Sequence, residues 1–117
     1  MGTHLSGGNA PRRKGALAEQ RVVSWLRSNG FPDARRFLAG DGRQPGDIDG
    51  VPGVCLDIKN ANRYQLTQWL TQLDEEARAG ALPFLVVKLP RITDPGEWAL
   101  ITRVRELPRI TDAWGER

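Results

Sequence analysis

The chain has 117 residues and a mass of 13.0 kDa, the size of one domain. With 39% hydrophobic and 26% charged residues it can build a core, which excludes wholesale disorder. One cysteine (Cys55) and one histidine (His4) exclude a disulfide framework, a cysteine-rich zinc site and histidine-based triads, leaving the chemistry to carboxylates, lysine and arginine. No apolar run approaches the ~20 residues that span a bilayer, and Met1–Lys14 lacks a secretory apolar segment; a cytoplasmic protein with no membrane partner is expected. The net charge of +3 is unevenly spread: +4 over residues 1–30, −1 over 31–60 and zero thereafter. A basic entrance beside an acid-rich middle suits a chain that holds phosphates and a cation.

Residues 1–13 are rich in Gly, Ser and Asn without periodicity and read as a flexible arm that ends in Arg12 and Arg13. A helix is predicted from Lys14 to Asn29, with Ala18, Val22, Val23 and Leu26 on one face and Gly30 as its stop. Arg35–Ala39 is a short strand, followed by a loop over Gly40–Gly46. Asp47–Val51 and Val54–Asn60 are two strands around Pro52-Gly53; in the second, Val54, Leu56 and Ile58 alternate with Cys55, Asp57 and Lys59. A second helix is predicted over Asn62–Ala79, with Asn62 and Gln65 as a capping box, Leu66, Trp69, Leu70, Leu73 and Ala77 as its apolar stripe, and Gly80 as its end. Phe84–Leu89 reads as a central strand between Pro83 and Pro90, and Glu97–Val104 as the last strand. Leu89-Pro90-Arg91-Ile92-Thr93-Asp94 recurs as Leu107-Pro108-Arg109-Ile110-Thr111-Asp112; the first copy is expected as a turn and the second in a C-terminal tail, 107–117. The expected fold is a small mixed β-sheet flanked by helices, an α/β domain over 14–106 in the order helix, three strands, helix, two strands.

Asp57 and Lys59 stand side by side on one strand face, roughly 7 Å apart at Cα. A metal-assisted phosphodiester cut uses this grouping: the carboxylate holds a divalent cation and the lysine orients water or steadies developing charge. Asp47 and Asp49 alternate just before the turn, where strand propensity disfavours acids. A bare two-residue hairpin would set Asp47 and Asp57 on opposite faces. An odd loop, Pro52–Val54, pairs Asp49 with Asp57 and Asp47 with Lys59 and puts all four on one face; Pro-Gly is a poor two-residue hairpin turn, which favours the odd loop. Glu19 lies at the edge of the first helix's apolar face. Gln65, Gln68 and Gln72 line a polar stripe of the second helix, suited either to solvent or to DNA phosphates and bases. Arg12, Arg13, Lys14, Arg35 and Arg36 are the cations expected to grip a nucleic-acid backbone.

The series of a helix bearing Glu19, a strand bearing Asp47, a turn, Asp57-x-Lys59 and a second helix resembles the PD-(D/E)XK nuclease superfamily. Lys14-Gly15-Ala16-Leu17-Ala18-Glu19, followed by Val22, Val23, Leu26 and Gly30-Phe31, is similar to the opening of the Holliday-junction resolvases of archaeal and phage type. The resemblance spans about Lys14–Leu89 and implies a restriction-endonuclease-like core. It makes Glu19 the helix acid, Asp47 and Asp57 metal ligands together with the Ile58 backbone carbonyl, Lys59 the catalytic lysine, and Gln68 or Gln72 the helix glutamine. It also implies Mg²⁺ or Mn²⁺ as cofactor, hydrolysis leaving 5′-phosphate ends, branched DNA as substrate, and a homodimer. Three departures stand out: the proline of the motif is Pro45, not directly before Asp47; Asp57 replaces the commoner glutamate; and Asp49 is an extra acid able to compete for the metal.

Overall fold

The computed structural model describes residues 2–37, 46–77 and 80–114, with side chains for 14–37, 46–77 and 80–113. The elements are α1 (Gly2–Ser28), β1 (Arg35–Arg36), β2 (Ile48–Asp49), β3 (Val54–Lys59), α2 (Leu66–Glu76), β4 (Leu82–Val87), β5 (Ala99–Ile101) and α3 (Leu107–Trp114). Two 3₁₀ turns lie at Pro95–Glu97 and Val104–Glu106. The sheet runs β1-β2-β3-β4-β5. The β3–β4 pair is parallel and the others are antiparallel, so α2 is the crossover between the two parallel strands. The chain is thus a mixed α/β fold, in the element order expected from the sequence, with α3 added at the end.

The alternation in β3 divides the core. Leu56 and Ile58 face α1, where they join Ala18, Val22, Val23, Leu26, Ile48, Phe84, Val86 and Trp98. Cys55 faces α2, where it joins Trp69, Leu73, Leu85 and Val87. Both faces of β3 are therefore covered, and all six residues of β4 are buried. The strand face that carries Asp57 is thus the one that α2 covers. Each fully buried aliphatic side chain contributes about 1.5–3 kcal/mol, so Leu73 and Leu85, both 0% exposed, anchor the α2 side.

Helix α1 stops as its sequence predicts. Gly30 has φ +104°, and Phe31 N–H donates back to Leu26 O at 3.0 Å, a Schellman-type end. Its start differs: residues 2–13, which composition marks as an arm, carry helical backbone. Extending a helix already anchored at Ala18–Leu26 fixes one residue per added bond and avoids the nucleation cost. Helix α2 begins at Leu66 without a side-chain cap from Gln65. The expected box partner Asn62 instead accepts a hydrogen bond from Lys14 Nζ at 3.0 Å. Strand β4 starts two residues earlier than predicted and contains Pro83, tolerated near its beginning. The expected tail is helical over Leu107–Trp114, with Pro108 in a first turn where its missing N–H is harmless. Arg109 ties that helix to Glu106 Oε1 and to Gly80 O.

Candidate active site

Strand β2 is two residues long, and its position is fixed by glycines at both ends. Gly46 has φ +80°, and a Cβ there would lie 2.7 Å from Leu56 O; Gly50 has φ +90°, and a Cβ there would lie 2.2 Å from Asp33 O. Only glycine serves at either place. The segment they frame, Asp47-Ile48-Asp49, is pressed against β3 on one side and β1 on the other. Ile48 pairs with Leu56. Asp47 lies just before the strand, and the charge of Asp57 reaches it. The pairing of Ile48 with Leu56 makes the loop odd, as the sequence favours, but the register differs by two from the expected one, which would set Ile48 opposite Ile58 and Asp49 opposite Asp57. The ladder gives the reason. Asp47 N–H donates to Leu56 O at 2.8 Å, and its carboxylate Oδ2 accepts from Ile58 N–H at 2.8 Å. Its side chain thus takes a backbone donor of β3.

Asp57 is 4% exposed. The Glu76 carboxyl, on α2, lies close enough to raise the pKa of Asp57. Glu76 also has a buried Oε2 with no hydrogen-bond partner. Burial raises the pKa of Asp47 from its ordinary 3.8 to about 7, and the charge of Asp57 adds to the shift; the Ile58 N–H bond and Lys59 oppose it. Asp57 is pushed the same way, first by burial and then by Glu76. Glu19 raises both, so the helix acid stands within electrostatic reach of the two strand acids. The Cys55 thiol, between them and the α2 core, is pushed up to about 12 by burial and the neighbouring acids, which leaves it inert as a nucleophile.

The other predicted residues are placed as follows. Lys59 follows Asp57 on the same face, its Nζ 5.9 Å from the centre of the Trp69 ring. Glu19 accepts from Arg36 Nε at 2.9 Å, which engages both the helix acid and one expected DNA-gripping arginine. Arg35 donates twice to Asp49 Oδ2, at 3.0 and 2.9 Å, so Asp49 is held at the sheet edge by a cation and away from the acid pair. Gln65, Gln68 and Gln72 are exposed along α2. Lys14 reaches Asn62, beyond the end of β3. The side chains of Arg12, Arg13 and Trp114 and all of Pro45 lie outside the described residues. Trp98 is 7% exposed in the α1-side core, its Nε1 donating to Ile92 O at 2.7 Å.

Glu76 is the residue that the sequence reading missed. Its signal was spacing: it stands three residues after Leu73 and seven after Trp69, the two buried positions of α2, so it points at the same sheet face as they do.

The donor set bears on a metal ion. Glu19, Asp47, Asp57 and Glu76 supply oxygen only, which suits a hard divalent cation. The raised pKa values of the two aspartates and the orphaned Oε2 are signs of negative charge in need of a positive partner. Among the described residues, however, no three His, Cys, Asp or Glu side chains are drawn together as a finished metal cage. The residues fit the ion in kind. Among the described residues, no helix is long and apolar enough to cross a membrane. Comparisons of the chain with protein-family models, with curated proteins and with solved structures found no match.

Proposed function

We propose that this protein is a divalent-metal-dependent endodeoxyribonuclease with a PD-(D/E)XK-type site, acting as a homodimer on branched DNA such as a Holliday junction. One observation carries the reading: Asp47, whose carboxylate accepts from Ile58 N–H, lies within electrostatic reach of a buried Asp57 whose strand places Lys59 two residues on, and burial drives both acids upward, with Asp57 adding to the rise in Asp47 and Glu76 to that in Asp57. Two acids forced together under cover, with a lysine beside them, are costly as structure and useful as a cation-dependent catalyst.

Asp47 and Asp57 would hold Mg²⁺ or Mn²⁺, with Glu19 and the Ile58 carbonyl as further ligands. When bound, the cation supplies charge stabilisation for the phosphoryl oxygens and a more acidic water. Lys59 orients the attacking water or steadies the charge that develops on phosphorus oxygens. Ile58 N–H fixes the Asp47 carboxylate, so that ligand does not have to be ordered on binding.

A second reading, a nucleic-acid-binding module that does not cut, is favoured by Glu76, an acid set against a proposed ligand, Asp57, and raising its pKa. One assay separates the two. Purified protein is incubated with a four-way junction, a nicked or flapped duplex and a plain duplex, with Mg²⁺ and with chelator. The nuclease reading expects Mg²⁺-dependent paired nicks at symmetric positions on the junction, and light scattering at about twice 13.0 kDa. Preferred cutting of the flap or nick keeps the core and replaces the substrate. Binding without cutting at any Mg²⁺ or Mn²⁺ concentration selects the module, and full activity in excess chelator removes the metal.

A further inference from the structure

The chain has three lysines, Lys14, Lys59 and Lys88, and the fold brings all of them to one end of the sheet. Lys59 closes β3, and Lys88 follows β4, its N–H donating to Lys59 O at 2.9 Å. Lys14 comes in from α1 to Asn62, while Asn60 Nδ2 donates back to Lys14 O at 3.4 Å. This is the carboxyl end of the parallel strand pair, the place where open α/β sheets receive ligands. A cleft of about 470 Å³ opens there, lined by Lys14, Asn60, Asn62, Tyr64 and Lys88 with Ala61 and Pro90, and no acid lines it.

Five of the arginines are engaged by carboxylates in a way that the lysines are not. Arg35, Arg36, Arg103, Arg105 and Arg109 all sit in ion pairs. Among the described residues, none of the three lysines has a carboxylate within 4.0 Å. Lys14 Nζ donates to a neutral amide oxygen and Lys88 Nζ to Leu89 O at 3.5 Å, so each ammonium retains donors. Two asparagines and the Tyr64 hydroxyl add neutral hydrogen-bonding groups. Tyr64 is 45% exposed, with its ring 6.2 Å from that of Trp69, and offers an aromatic face beside the cations.

We propose that this cleft is a phosphate seat, in which Lys14 and Lys88 hold a phosphate group of a nucleic-acid strand while Tyr64 receives an adjoining base. Cations with spare donors select an anion, and an exposed aromatic beside them selects a nucleotide over a bare ion. Asn60 directly follows Lys59, so the seat adjoins the candidate active site and would fix the strand next to the phosphodiester to be cut. The choice of a nucleic-acid phosphate rests on the nuclease reading; the anion site rests only on the cleft.

The test is an amide-resolved NMR titration of the full chain in chelator, where no cutting occurs, with inorganic phosphate and then with one short oligonucleotide in 5′-phosphate and 5′-hydroxyl forms. Phosphate should shift the Asn60, Ala61, Asn62, Tyr64 and Lys88 amides, and the oligonucleotide should displace it. Lys14→Gln and Lys88→Gln should each weaken phosphate binding at least about fivefold, with Lys14→Arg and Lys88→Arg restoring it; the spectrum itself reports that each variant is folded. For the oligonucleotide, each Gln variant should reduce the log–log salt slope by about 0.7, the single-strand value per contact. A tenfold preference for the 5′-phosphate form makes the seated group terminal, and equal binding makes it internal. Shifts confined to other parts of the chain, or Gln variants that bind as wild type, overturn the seat however well the protein cuts DNA. Phosphate that the oligonucleotide does not displace overturns its assignment to a nucleic-acid strand. A seat that behaves as described in a protein that never cuts removes the nuclease reading alone.

Discussion

The two faces of the sheet are built from the same strands to different ends. Against α1, β3 presents Leu56 and Ile58, and the core there is apolar from Ala18 to Trp98. Against α2, the same strand presents Cys55 and then Asp57, and α2 answers with Trp69 and Leu73 and then Glu76. The first face gains from burial at every position. The second gains at Cys55, Trp69 and Leu73 and loses at Asp57, because desolvating Asp57 beside Glu76 opposes folding. The difference shows where stability has been given up, and the acid end of the α2 face is accordingly where chemistry is proposed.

The comparison breaks most sharply in activity. Asp57→Asn, Asp47→Asn and Lys59→Ala should each lower Mg²⁺-dependent cleavage by on the order of 10²-fold or more. Asp49→Asn should cost far less, because Asp49 faces Arg35. Gel assays on a labelled junction read all four, and an Asp49 effect larger than that of Asp47 would reassign the hairpin acid.

Next comes stability on the apolar face. Phe84→Ala should cost about 3–5 kcal/mol by urea unfolding, the usual range for an aromatic removed from a packed core. Asp57→Asn, on the other face, should cost nothing at pH 8 or raise stability. A loss comparable to that of Phe84→Ala would make Asp57 a structural group.

The third difference is in pH. Asp47 and Asp57 have folded-state pKa values above their unfolded ones, so between about pH 4 and 7 the folded protein binds more protons than the unfolded chain. Their contribution is therefore most favourable below that window and is lost as pH rises through it, each tenfold difference in proton affinity between the two states being worth ~1.4 kcal/mol. Unfolding midpoints in chelator should fall from pH 5 to pH 8 more steeply for wild type than for an Asp47→Asn, Asp57→Asn double variant. Equal slopes would show that the acids are not strained.

The smallest expected effect is at the frame of β2. Gly50→Ala must place a Cβ against Asp33 at positive φ and should cost about 1–3 kcal/mol while displacing Asp47. Far-ultraviolet melting reads the first effect and junction cleavage the second.

Much of this molecule was legible in its residues. The helical spacing of Ala18, Val22, Val23 and Leu26, the Gly30 stop, the alternation of Val54–Lys59 and the apolar run of β4 are local signals, and each element formed near its predicted place. The odd parity of the hairpin followed from the turn residues. Its register did not, because that depends on Asp47 bonding to Ile58 N–H and on Gly46 and Gly50 fitting against backbone from other segments. Glu76 lay on a predicted helix, but its meeting with Asp57 required knowing which sheet face α2 covers. The pairing of Arg35 with Asp49 and of Arg36 with Glu19 was hidden for the same reason.

The repeated hexapeptide marks the boundary most plainly. Leu89–Asp94 is a turn, with Arg91 at φ +66°, Ile92 O held by Trp98 Nε1 and Asp94 accepting from Gly96 N–H. Leu107–Asp112, the same six residues, is helix, with Arg109 bound to Glu106 and Gly80. The sequence by itself determined which segments had a strong hydrophobic period, and those folded as read. Where the period was weak, and where polar groups had to find partners across the chain, only the tertiary structure decided, because hydrogen-bond partners and buried neighbours are supplied by residues far away in sequence.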